Sequence, residues 1–458
     1  MSDKSLEDVL QRVGSPVKLL RESQTGPYIY PVVPTEFSNW RDEQRAWRET
    51  AILFNQSYHM TDMYVEGPDA LKVLSKLGVN SFKDFGPDKA KQFVACNYDG
   101  FVIGDVVLFH LEENRFNLVG RPSVHNWVQY HCETGKYNVT LERDERTVAR
   151  PGPIVRKVYR YQVQGPNALK VMEKVTGKPV PNVKFFGMTD FTIAGARVRA
   201  LRHGMVGQPG FELFGPWEDG EAVKAAIVEA GRDFGLRLSG SRTYSSNTLE
   251  SGWIPSPMPA IYSGEKMKPY RQWLPANGYE ANASLGGSFS SANIEDYYLT
   301  PWDLGYGMVV KFDHDFIGRE ALEKIAQKPR RKKVTLALNS DDVASGIRTM
   351  YGPHPRTKYI DFPSAVYSTL PYDNVMKDGK VIGVSTWVGY SANEGRELTL
   401  AIVDVEHAEP GTEVTFVWGE EGGGSSKPTV ERHKQLEIRA TVAPVPYSEP
   451  ARAAYRVG

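Results

Sequence analysis

The stretch VEGPDALKVLSKLG, residues 65–78, recurs later in the chain as VQGPNALKVMEKVTG, residues 163–177. Each copy begins like a strand, places a proline in the first helical turn and continues with an apolar stripe. The positions with the same residue in both copies are Val65, Gly67, Pro68, Ala70, Leu71, Lys72, Val73 and Lys76. Because these identities at one offset are too many to arise by chance, we predict two related α/β halves, with repeat units near 60–80 and 158–178.

Further helix and strand signals surround the two copies. The predicted helices, whose bounds rest on helical spacing and on capping residues, cover residues 5–14, 38–50, 218–234 and 315–326. The predicted strands cover residues 60–67, 91–132 with turns at 99–100 and 112–114, and 191–201. Residues 260–300 show little periodicity, so we predict irregular structure there.

The stretch SRTYSSNTLESGWIPSPMP, residues 241–259, has neither helical nor strand periodicity. Its prolines exclude a continuing helix. Long non-periodic stretches inside compact domains are usually functional loops or linkers, and two aromatic residues that can be buried, Tyr244 and Trp253, argue against a linker. We therefore predict that this stretch forms the wall of a pocket.

The pattern changes after residue 325. Residues 329–333, PRRKK, are basic and contain no apolar side chain, which predicts a solvated linker. Beyond them, KKVTLAL, GKVIGVSTWVGY, ELTLAIVDV and TEVTFVWG alternate with turn residues, as the strands of an antiparallel sheet do. The sequence therefore predicts an α+β protein in which residues 1–325 hold the two related halves and residues 334–458 form an antiparallel, barrel-like β domain.

The composition excludes several functional classes. Of 458 residues, 41% are hydrophobic and 24% are charged, which is typical of a globular protein of two or three domains. Lys and Arg together number 55, as do Asp and Glu, so no overall charge attracts nucleic acid or an anionic membrane. The polar N-terminal residues lack a signal-peptide pattern, and no apolar run is long enough to span a membrane. Cys96 and Cys132 form no CxxC pair, so we expect a reducing, cytoplasmic location.

The common catalytic motifs are absent as well. The sequence contains no HExxH, paired CxxC, GxSxG or GxxxxGK[ST] motif, and its nine histidines show no ligand spacing. The run GEEGGGSSK, residues 419–427, resembles a phosphate loop in composition alone, because its lysine does not directly follow the last glycine. We interpret it as a hairpin loop. We therefore expect no metal site and argue against a metal hydrolase, a serine hydrolase or a nucleotide kinase.

Four segments resemble one family when they are taken together. They are LFNQSYHMTDMYVEGPDAL (53–71), RHGMVGQPGFELFGP (202–216), TLESGWIPSP (248–257) and TPWDLGYGMVVKFDHDFIGREAL (300–322). Each is similar to a signature of the tetrahydrofolate-dependent aminomethyltransferases, typified by the T-protein of the glycine cleavage system. The resemblance covers most of the chain and implies an aminomethyltransferase-like fold around a central channel, in which folate and substrate meet end to end.

A branch of this family that demethylates lignin-derived methoxybenzoates resembles the chain more closely. The strings YIYPVV, FSNWRDEQRAW and SNTLESGWIPSP look like those of vanillate and syringate demethylases. The resemblance implies transfer of a methyl group from syringate, vanillate or 3-O-methylgallate to N5 of tetrahydrofolate, which yields 5-methyltetrahydrofolate. In the aminomethyltransferases an Asp-Asp pair stands where this chain has Gly104-Asp105. Loss of one carboxylate fits a substrate without a cationic amine.

The reaction needs help at its leaving group. A phenolate leaves poorly because its conjugate acid has a pKa near ~10. A positioned proton donor accelerates such a step by about 10²–10⁴-fold, and the family pattern places Tyr244 for that role. By the same resemblance, His59 bonds the phenolic oxygen or relays a proton, Arg121 binds the benzoate carboxylate in a bidentate manner, and Tyr30 completes the aromatic wall. An ordinary structural role is the alternative for each residue.

The resemblance also assigns residues to the folate. Glu212 in PGFELFG matches the family position whose carboxylate accepts two N–H groups of the pterin, and Trp253 is expected to stack on the ring system. Gln56, Gln92 and the backbone at Val119 match further folate contacts. Catalysis would then depend mainly on the orientation of the methyl group toward N5.

Two other functions remain open from the sequence. One is a folate-dependent transferase of N-methyl or aminomethyl groups that acts on glycine- or sarcosine-type amines. The other is a non-catalytic folate-binding accessory protein, although neither cysteine lies in the Lys-Gly-Cys-type motif of such relatives. We expect a small aromatic acid and tetrahydrofolate as binding partners, and no nucleic acid, membrane or obligatory protein partner.

Overall fold

The computed structural model describes residues 3–149, 152–255, 257–328 and 330–453. Its helices are α1 Leu6–Val13, α2 Pro16–Glu22, α3 Trp40–Glu49, α4 Ala70–Leu77, α5 Pro122–Thr134, α6 Ala168–Thr176, α7 Gly220–Gly231, α8 Ser241–Tyr244, α9 Asn247–Ser251, α10 Lys268–Trp273, α11 Arg319–Gln327, α12 Ser340–Arg348 and α13 Glu449–Ala453. Its strands are β1 Ala51–Asn55, β2 Thr61–Glu66, β3 Lys89–Cys96, β4 Val102–Glu112, β5 Arg115–Gly120, β6 Thr140–Asp144, β7 Val158–Gln164, β8 Met188–Ile193, β9 Ala196–Arg202, β10 Gly210–Pro216, β11 Leu236–Leu238, β12 Leu285–Gly286, β13 Arg331–Leu338, β14 Leu370–Pro371, β15 Asp373–Lys377, β16 Lys380–Ser391, β17 Arg396–Asp404, β18 Glu413–Trp418 and β19 Leu436–Ala443.

Two sheets that share the order of four of their strands correspond to the two copies of the repeat. The first sheet has the order β3-β4-β5-β2-β6, and the second has the order β8-β9-β10-β7-β1-β11. In each half, the strand of the repeat (β2 or β7) is followed by its helix (α4 or α6) and then by a three-stranded antiparallel meander. The prediction of two related halves is therefore confirmed.

A glycine at the same place in both copies shows why the sequence repeats so closely there. Gly67 and Gly165 follow the repeat strand with φ of +139° and +125°, values that side chains with a Cβ rarely adopt. A Cβ would lie 2.4 Å from the Asn138 carbonyl oxygen in the first half and 2.6 Å from the Thr50 carbonyl oxygen in the second. Both turns therefore need glycine for conformation and for space.

Strand β1 ties the beginning of the chain to the second half. It pairs antiparallel with β7 and parallel with β11, although β2, which follows it, belongs to the first sheet. Residues 56–60 therefore cross from one sheet to the other. This crossing carries two of the predicted site residues, Gln56 and His59.

The C-terminal strands close into an antiparallel barrel with the order β13-β17-β16-β15-β18-β19. The predicted barrel-like β domain is confirmed as a fold element. The predicted linker at 329–333 is wrong for the part that is described, because Arg331 begins β13 and its guanidinium bonds Asp303 at 2.9 Å. Pro329 lies outside the described residues.

Two further expectations from the sequence need correction. Residues 123–132 were predicted as strand, but they belong to α5, which begins at Pro122 and buries Trp127, Val128 and Cys132. Aromatic and β-branched residues favoured a strand, whereas proline in the first turn and the packing of one face favour this helix. The stretch 241–259 was predicted to be without helix, but it contains the short helices α8 and α9 before its prolines.

The segment between the second half and the barrel packs as a buried layer. Its apolar side chains, among them Leu249, Met258 and Tyr262, share one core with the first sheet and with β16 and β17 of the barrel. The stretch around residues 241–259 is thereby held against both the first half and the barrel. Within the described ranges, none of the helices has both the length and the apolar surface that crossing a bilayer would need.

Candidate active site

Two tyrosines of the N-terminal loop hold the crossing segment in place. The hydroxyl of Tyr28 donates to the carbonyl oxygen of His59, and the hydroxyl of Tyr30 donates to the carbonyl oxygen of Asn55. The ring of Tyr30 also lies 4.5 Å from the His59 ring. The Pro-bracketed tyrosines therefore fix the backbone on both sides of Gln56.

Tyr244 completes a compact group with these residues. It ends α8, and its hydroxyl lies 2.9 Å from Nε2 of His59 and 3.4 Å from Nε2 of Gln56. Its ring stacks on that of Tyr30 with a centroid distance of 4.1 Å and an interplanar angle of 12°. The structure thus brings together four residues that the sequence predicted, from three distant parts of the chain. We call Tyr30, Gln56, His59 and Tyr244 the tyrosine pocket.

Burial keeps this pocket neutral. Desolvation, with a further contribution from the positive charge of Arg121, lowers the pKa of His59 to about 3, so that its imidazole is uncharged at neutral pH. Desolvation likewise raises the pKa of Tyr244 above its ordinary value, so that its hydroxyl keeps its proton. Nδ1 of His59 and Oε1 of Gln56 are both buried, and neither has a hydrogen-bond partner among the described residues. Such atoms are costly unless a ligand satisfies them.

Arg121 joins the tyrosine pocket to a neighbouring cleft. It lies between the end of β5 and the start of α5, and its guanidinium is 4.6 Å from the centre of the Tyr28 ring. The cleft is lined by Arg121, Gly104, Asp105, Tyr279 and Glu280 together with prolines of the 241–259 stretch. A Cβ on Gly104 would lie 3.0 Å from Cγ2 of Val124, so the cleft wall is tightly packed at this position. A side chain with a carboxylate would require Val124 to shift.

Asp105 accepts hydrogen bonds from two other predicted residues, Gln92 and Trp253, at the same cleft. Its Oδ2 accepts hydrogen bonds from Nε2 of Gln92, from Nε1 of Trp253 at 3.1 Å and from the hydroxyl of Tyr306 at 2.9 Å. Desolvation raises the pKa of Asp105, although these donors act in the opposite direction. Trp253 remains 38% exposed, which leaves part of its ring free for contact with a flat ligand.

Glu212 lies in β10, inside a buried ion network. Arg160 donates to Glu212 Oε1 at 2.6 Å and to Asp62 Oδ1 at 2.7 Å, and Arg156 bonds the other oxygen of Asp62 at 3.1 Å. Nδ1 of His203 lies 3.4 Å from Glu212 Oε2. Burial alone would raise the pKa of Glu212, but Arg160 and His203 lower it, and the net shift is downward. Glu212 is therefore an ionised carboxylate with one oxygen already engaged.

Val119 is placed differently from the other predicted residues. It lies in β5, which is paired on one side with β2 and on the other with β4, and its side chain is 3% exposed. Its side chain packs with Tyr64 and Phe109. The backbone of Val119 is therefore part of a central strand, and it lies one residue before the end of β5.

Sequence reasoning missed several members of this site. The sequence assigned no role to Tyr28 or Arg160, and Asp105 was interpreted as the remainder of an acidic pair. Asp105 follows Gly104, at the position where this chain departs from the Asp-Asp pair of the family. That departure could have indicated a changed role for Asp105. Arg160 alternates with the apolar residues of β7, so a charge on a buried strand was the signal there.

Two known proteins are similar to this chain over most of its length. The chain is 58% identical over 452 residues to a syringate O-demethylase of Sphingobium sp. (strain NBRC 103272 / SYK-6), with 99% of this chain and 98% of the relative covered. It is 31% identical to a sesamin methylene transferase of Sinomonas sp. (strain No.22), over 91% of this chain and 90% of that protein.

Fold and family comparisons extend this similarity. The crystal structure of the glycine cleavage system aminomethyltransferase T from Bartonella henselae matches with a TM-score of 0.62 over 91% of each chain, at 18% identity, which shows a shared fold. Residues 23–256 match the family model described as the GCVT N-terminal domain. The resemblance identified in the sequence is thus confirmed, and the chain belongs to the GCVT family, the family of the aminomethyltransferases.

Proposed function

We propose that the protein is a tetrahydrofolate-dependent O-demethylase that moves the methyl group of a methoxybenzoate to N5 of tetrahydrofolate. Syringate, converted to 3-O-methylgallate, is the first candidate substrate, because the chain is 58% identical over nearly its full length to a syringate O-demethylase. Vanillate and 3-O-methylgallate are the next candidates. The observation that carries the proposal is the buried pair of Tyr244 and His59, whose side chains lie 2.9 Å apart with Nδ1 of His59 unpartnered.

The residues around the tyrosine pocket fit tetrahydrofolate. Oε1 of Gln56 is a buried acceptor without a partner, and Oε2 of Glu212 is the less engaged oxygen of an ionised carboxylate. Both are suited to the N–H groups of a pterin, and the partly exposed ring of Trp253 is suited to its flat face. Bound tetrahydrofolate would supply the nitrogen that takes the methyl group, and the proton lost from this nitrogen would balance the one gained by the aryl oxygen.

Tyr244 is proposed to assist the leaving oxygen. When the methyl–oxygen bond breaks, its electron pair stays on the aryl oxygen, which then accepts a hydrogen bond or a proton from the Tyr244 hydroxyl. The raised pKa of Tyr244 keeps that proton in place until it is needed. The same burial raises the pKa of the product phenol, so donor and acceptor remain matched.

His59 and Arg121 are proposed to orient the aromatic ring. A neutral His59 with its proton on Nε2 donates to the Tyr244 hydroxyl oxygen, which leaves the tyrosine proton free for the leaving oxygen. Its Nδ1, which is buried and unpartnered among the described residues, then accepts from the phenolic hydroxyl of the substrate. Arg121 reaches the same pocket through its contact with Tyr28 and provides a planar cation for the carboxylate. With both ends of the ring held, the methyl group points in one direction, and orientation of this kind lowers the entropic part of the barrier.

One assay tests the proposal. The purified protein is incubated with tetrahydrofolate and, separately, with syringate, vanillate and 3-O-methylgallate, and the demethylated phenol and 5-methyltetrahydrofolate are quantified by chromatography. We expect equal amounts of both products, with syringate turned over fastest. No turnover of any methoxybenzoate would overturn the function. Formation of methylenetetrahydrofolate from glycine- or sarcosine-type amines would support the aminomethyltransferase alternative, and folate binding without any turnover would support an accessory role.

The same assay bears on the partners and on the organisation of the chain. Turnover by the purified chain alone would support the proposal that no protein partner is required. We further propose that residues 1–325 bind substrate and folate, that residues 334–458 support them, and that the protein acts in the cytoplasm. Two free, buried cysteines, Cys96 and Cys132, fit a reducing compartment.

A further inference from the structure

Arg146 lies between two tyrosine rings beside the tyrosine pocket. Its guanidinium is 5.1 Å from the centre of the Tyr28 ring and 5.2 Å from the centre of the Tyr279 ring. Tyr28 also contacts Arg121 and bonds the backbone of His59, and Tyr279 lines the same cleft as Arg121. Arg146 therefore stands where the cleft and the tyrosine pocket meet.

The acidic neighbours of Arg146 in sequence are engaged elsewhere. Glu142 pairs with Lys157, Asp144 pairs with Arg156 at 2.8 Å, and Glu145 pairs with Arg143 at 2.7 Å.

The carboxylates that line the cleft are engaged as well. Asp105 accepts three side-chain donors, and both oxygens of Glu280 accept from Asn126, at 2.8 and 3.1 Å. Across residues 3–149, 152–255, 257–328 and 330–453, no carboxylate forms an ion pair with Arg146. Its Nε is also buried without a hydrogen-bond partner. Arg146 therefore presents a cation that no described anion neutralises.

We infer that Arg146 is a second carboxylate-binding residue of the substrate site, which acts together with Arg121 on the carboxylate of the aromatic acid. The inference rests on the proposed function. Two guanidinium groups that contact one tyrosine ring repel each other, and a carboxylate between them removes this repulsion. The two oxygens of a carboxylate can each accept from one of the two forks.

The two tyrosine rings give Arg146 the properties of a preorganised ligand. A guanidinium that lies against aromatic faces is attracted by their π-electrons and loses little further freedom when it binds an anion. Lysine has a compact ammonium group and neither stacks in this way nor presents a planar fork. The site therefore favours a planar carboxylate, and substrates without one bind less tightly.

The test compares Arg146→Gln and Arg146→Lys with the wild type in binding and in turnover. Calorimetry without tetrahydrofolate measures the Kd of syringate and of syringamide, which has the same shape without the charge. A hydrogen bond to a charged group contributes about 1.5–3 kcal/mol, so we expect the syringate Kd of Arg146→Gln to rise by about 10–100-fold. The Kd of syringamide should change little, and Arg146→Lys should fall in between. In turnover, KM for syringate should rise while kcat stays within a few-fold.

Controls separate this role from a structural one. Arg45→Gln, which removes a guanidinium from an exposed ion pair with Asp42, should leave both Kd values unchanged. An unchanged syringate Kd in Arg146→Gln would overturn the inference, and so would an equal weakening of syringamide. If Arg146→Gln weakened the binding of tetrahydrofolate but not that of syringate, this would also overturn the inference, because Arg146 would then bind a carboxylate of the folate tail. If Arg146→Gln weakens syringate binding but the wild type demethylates no methoxybenzoate, the proposed function fails and the carboxylate site stands.

Discussion

The tyrosine pocket and the ion network around Arg160 are both buried, and both include residues of the segment 56–62, yet they satisfy their polar atoms in different ways. The pocket contains neutral side chains, and two of its atoms, on Gln56 and His59, have no hydrogen-bond partner in the described part of the chain. The network consists of full charges, and Arg160 bonds a carboxylate with each arm of its guanidinium.

The ion network is therefore complete without a ligand, whereas the tyrosine pocket has polar atoms that a ligand could satisfy. A buried charge is tolerated when it is paired and hydrogen-bonded, so the network stabilises the fold without any bound molecule. An unpartnered buried acceptor or donor raises the free energy of the unliganded protein, and a ligand that satisfies it recovers that cost. Glu212 contacts the network through Arg160 but is proposed to bind the pterin. A variant at Glu212 therefore tests whether a residue can serve both stability and ligand binding.

The largest expected effect is that of Tyr244→Phe, which removes the hydroxyl that the proposal places at the leaving oxygen. We expect kcat for syringate to fall by about 10²–10⁴-fold, because phenylalanine has no proton to offer to the leaving oxygen. Steady-state turnover measures this, and calorimetry should find the tetrahydrofolate Kd close to that of the wild type. Turnover near the wild-type rate would remove Tyr244 from the mechanism.

Arg160→Met should act on the network rather than on the chemistry. It leaves the buried carboxylates of Asp62 and Glu212 without their shared cation, and breaking such a buried pair costs about 3–5 kcal/mol. Urea unfolding should show the loss as a lower midpoint. The matched variant Arg45→Met, at an exposed ion pair, should keep the wild-type midpoint. Equal midpoints for the two variants would contradict the assignment of Arg160 to a stabilising network.

Glu212→Gln sharpens the boundary between the two groups. The substitution keeps the shape but removes the charge that a pterin would use, so we expect the tetrahydrofolate Kd to rise by about 10-fold or more. Calorimetry and urea unfolding should be measured on the same samples. A lower stability with an unchanged tetrahydrofolate Kd would restrict Glu212 to the ion network.

Among the predicted changes in stability, that of His59→Gln is the smaller, and it depends on pH. The folded-state pKa of His59 is about 3, below its ordinary value of 6.5, so between these values the unfolded chain binds a proton that the folded protein does not. The stability that His59 contributes is therefore complete above pH 6.5 and is lost as pH falls toward 3. Between pH 7.5 and pH 5 the wild type should lose about 2 kcal/mol more than His59→Gln in urea unfolding. The same pH dependence in both proteins would show that His59 is not held neutral.

The fold was more accessible to sequence reasoning than the site. The repeat around Gly67 and Gly165 was visible because both turns need a residue without a Cβ, and the barrel was visible because its strands alternate with turn residues. Helix α5 was missed because its aromatic and β-branched residues favour a strand in isolation. Its conformation depends on packing against the first sheet, which a local pattern does not contain.

Within the site, the sequence predicted residues that lie near one another along a motif or match a family pattern, such as His59 and Tyr244. It did not predict the roles of Asp105 and Arg146, because these depend on partners from distant segments. Asp105 accepts a hydrogen bond from Trp253, which is far away in the chain, and Arg146 lies between the rings of Tyr28 and Tyr279. Whether a charged side chain lacks a counter-ion is a property of three-dimensional contacts.

The position of β1 has a consequence for how the chain reaches its native state during synthesis. The strand that leads into His59 pairs with β7 and β11, so one neighbour is made only when the second half begins and the other only when that half ends. A fragment that ends before residue 158 would hold every residue of the first sheet but would leave β1 as an unpaired edge. The first half is thus a poor candidate for separate expression, and the pocket forms late, when residues 236–244 arrive.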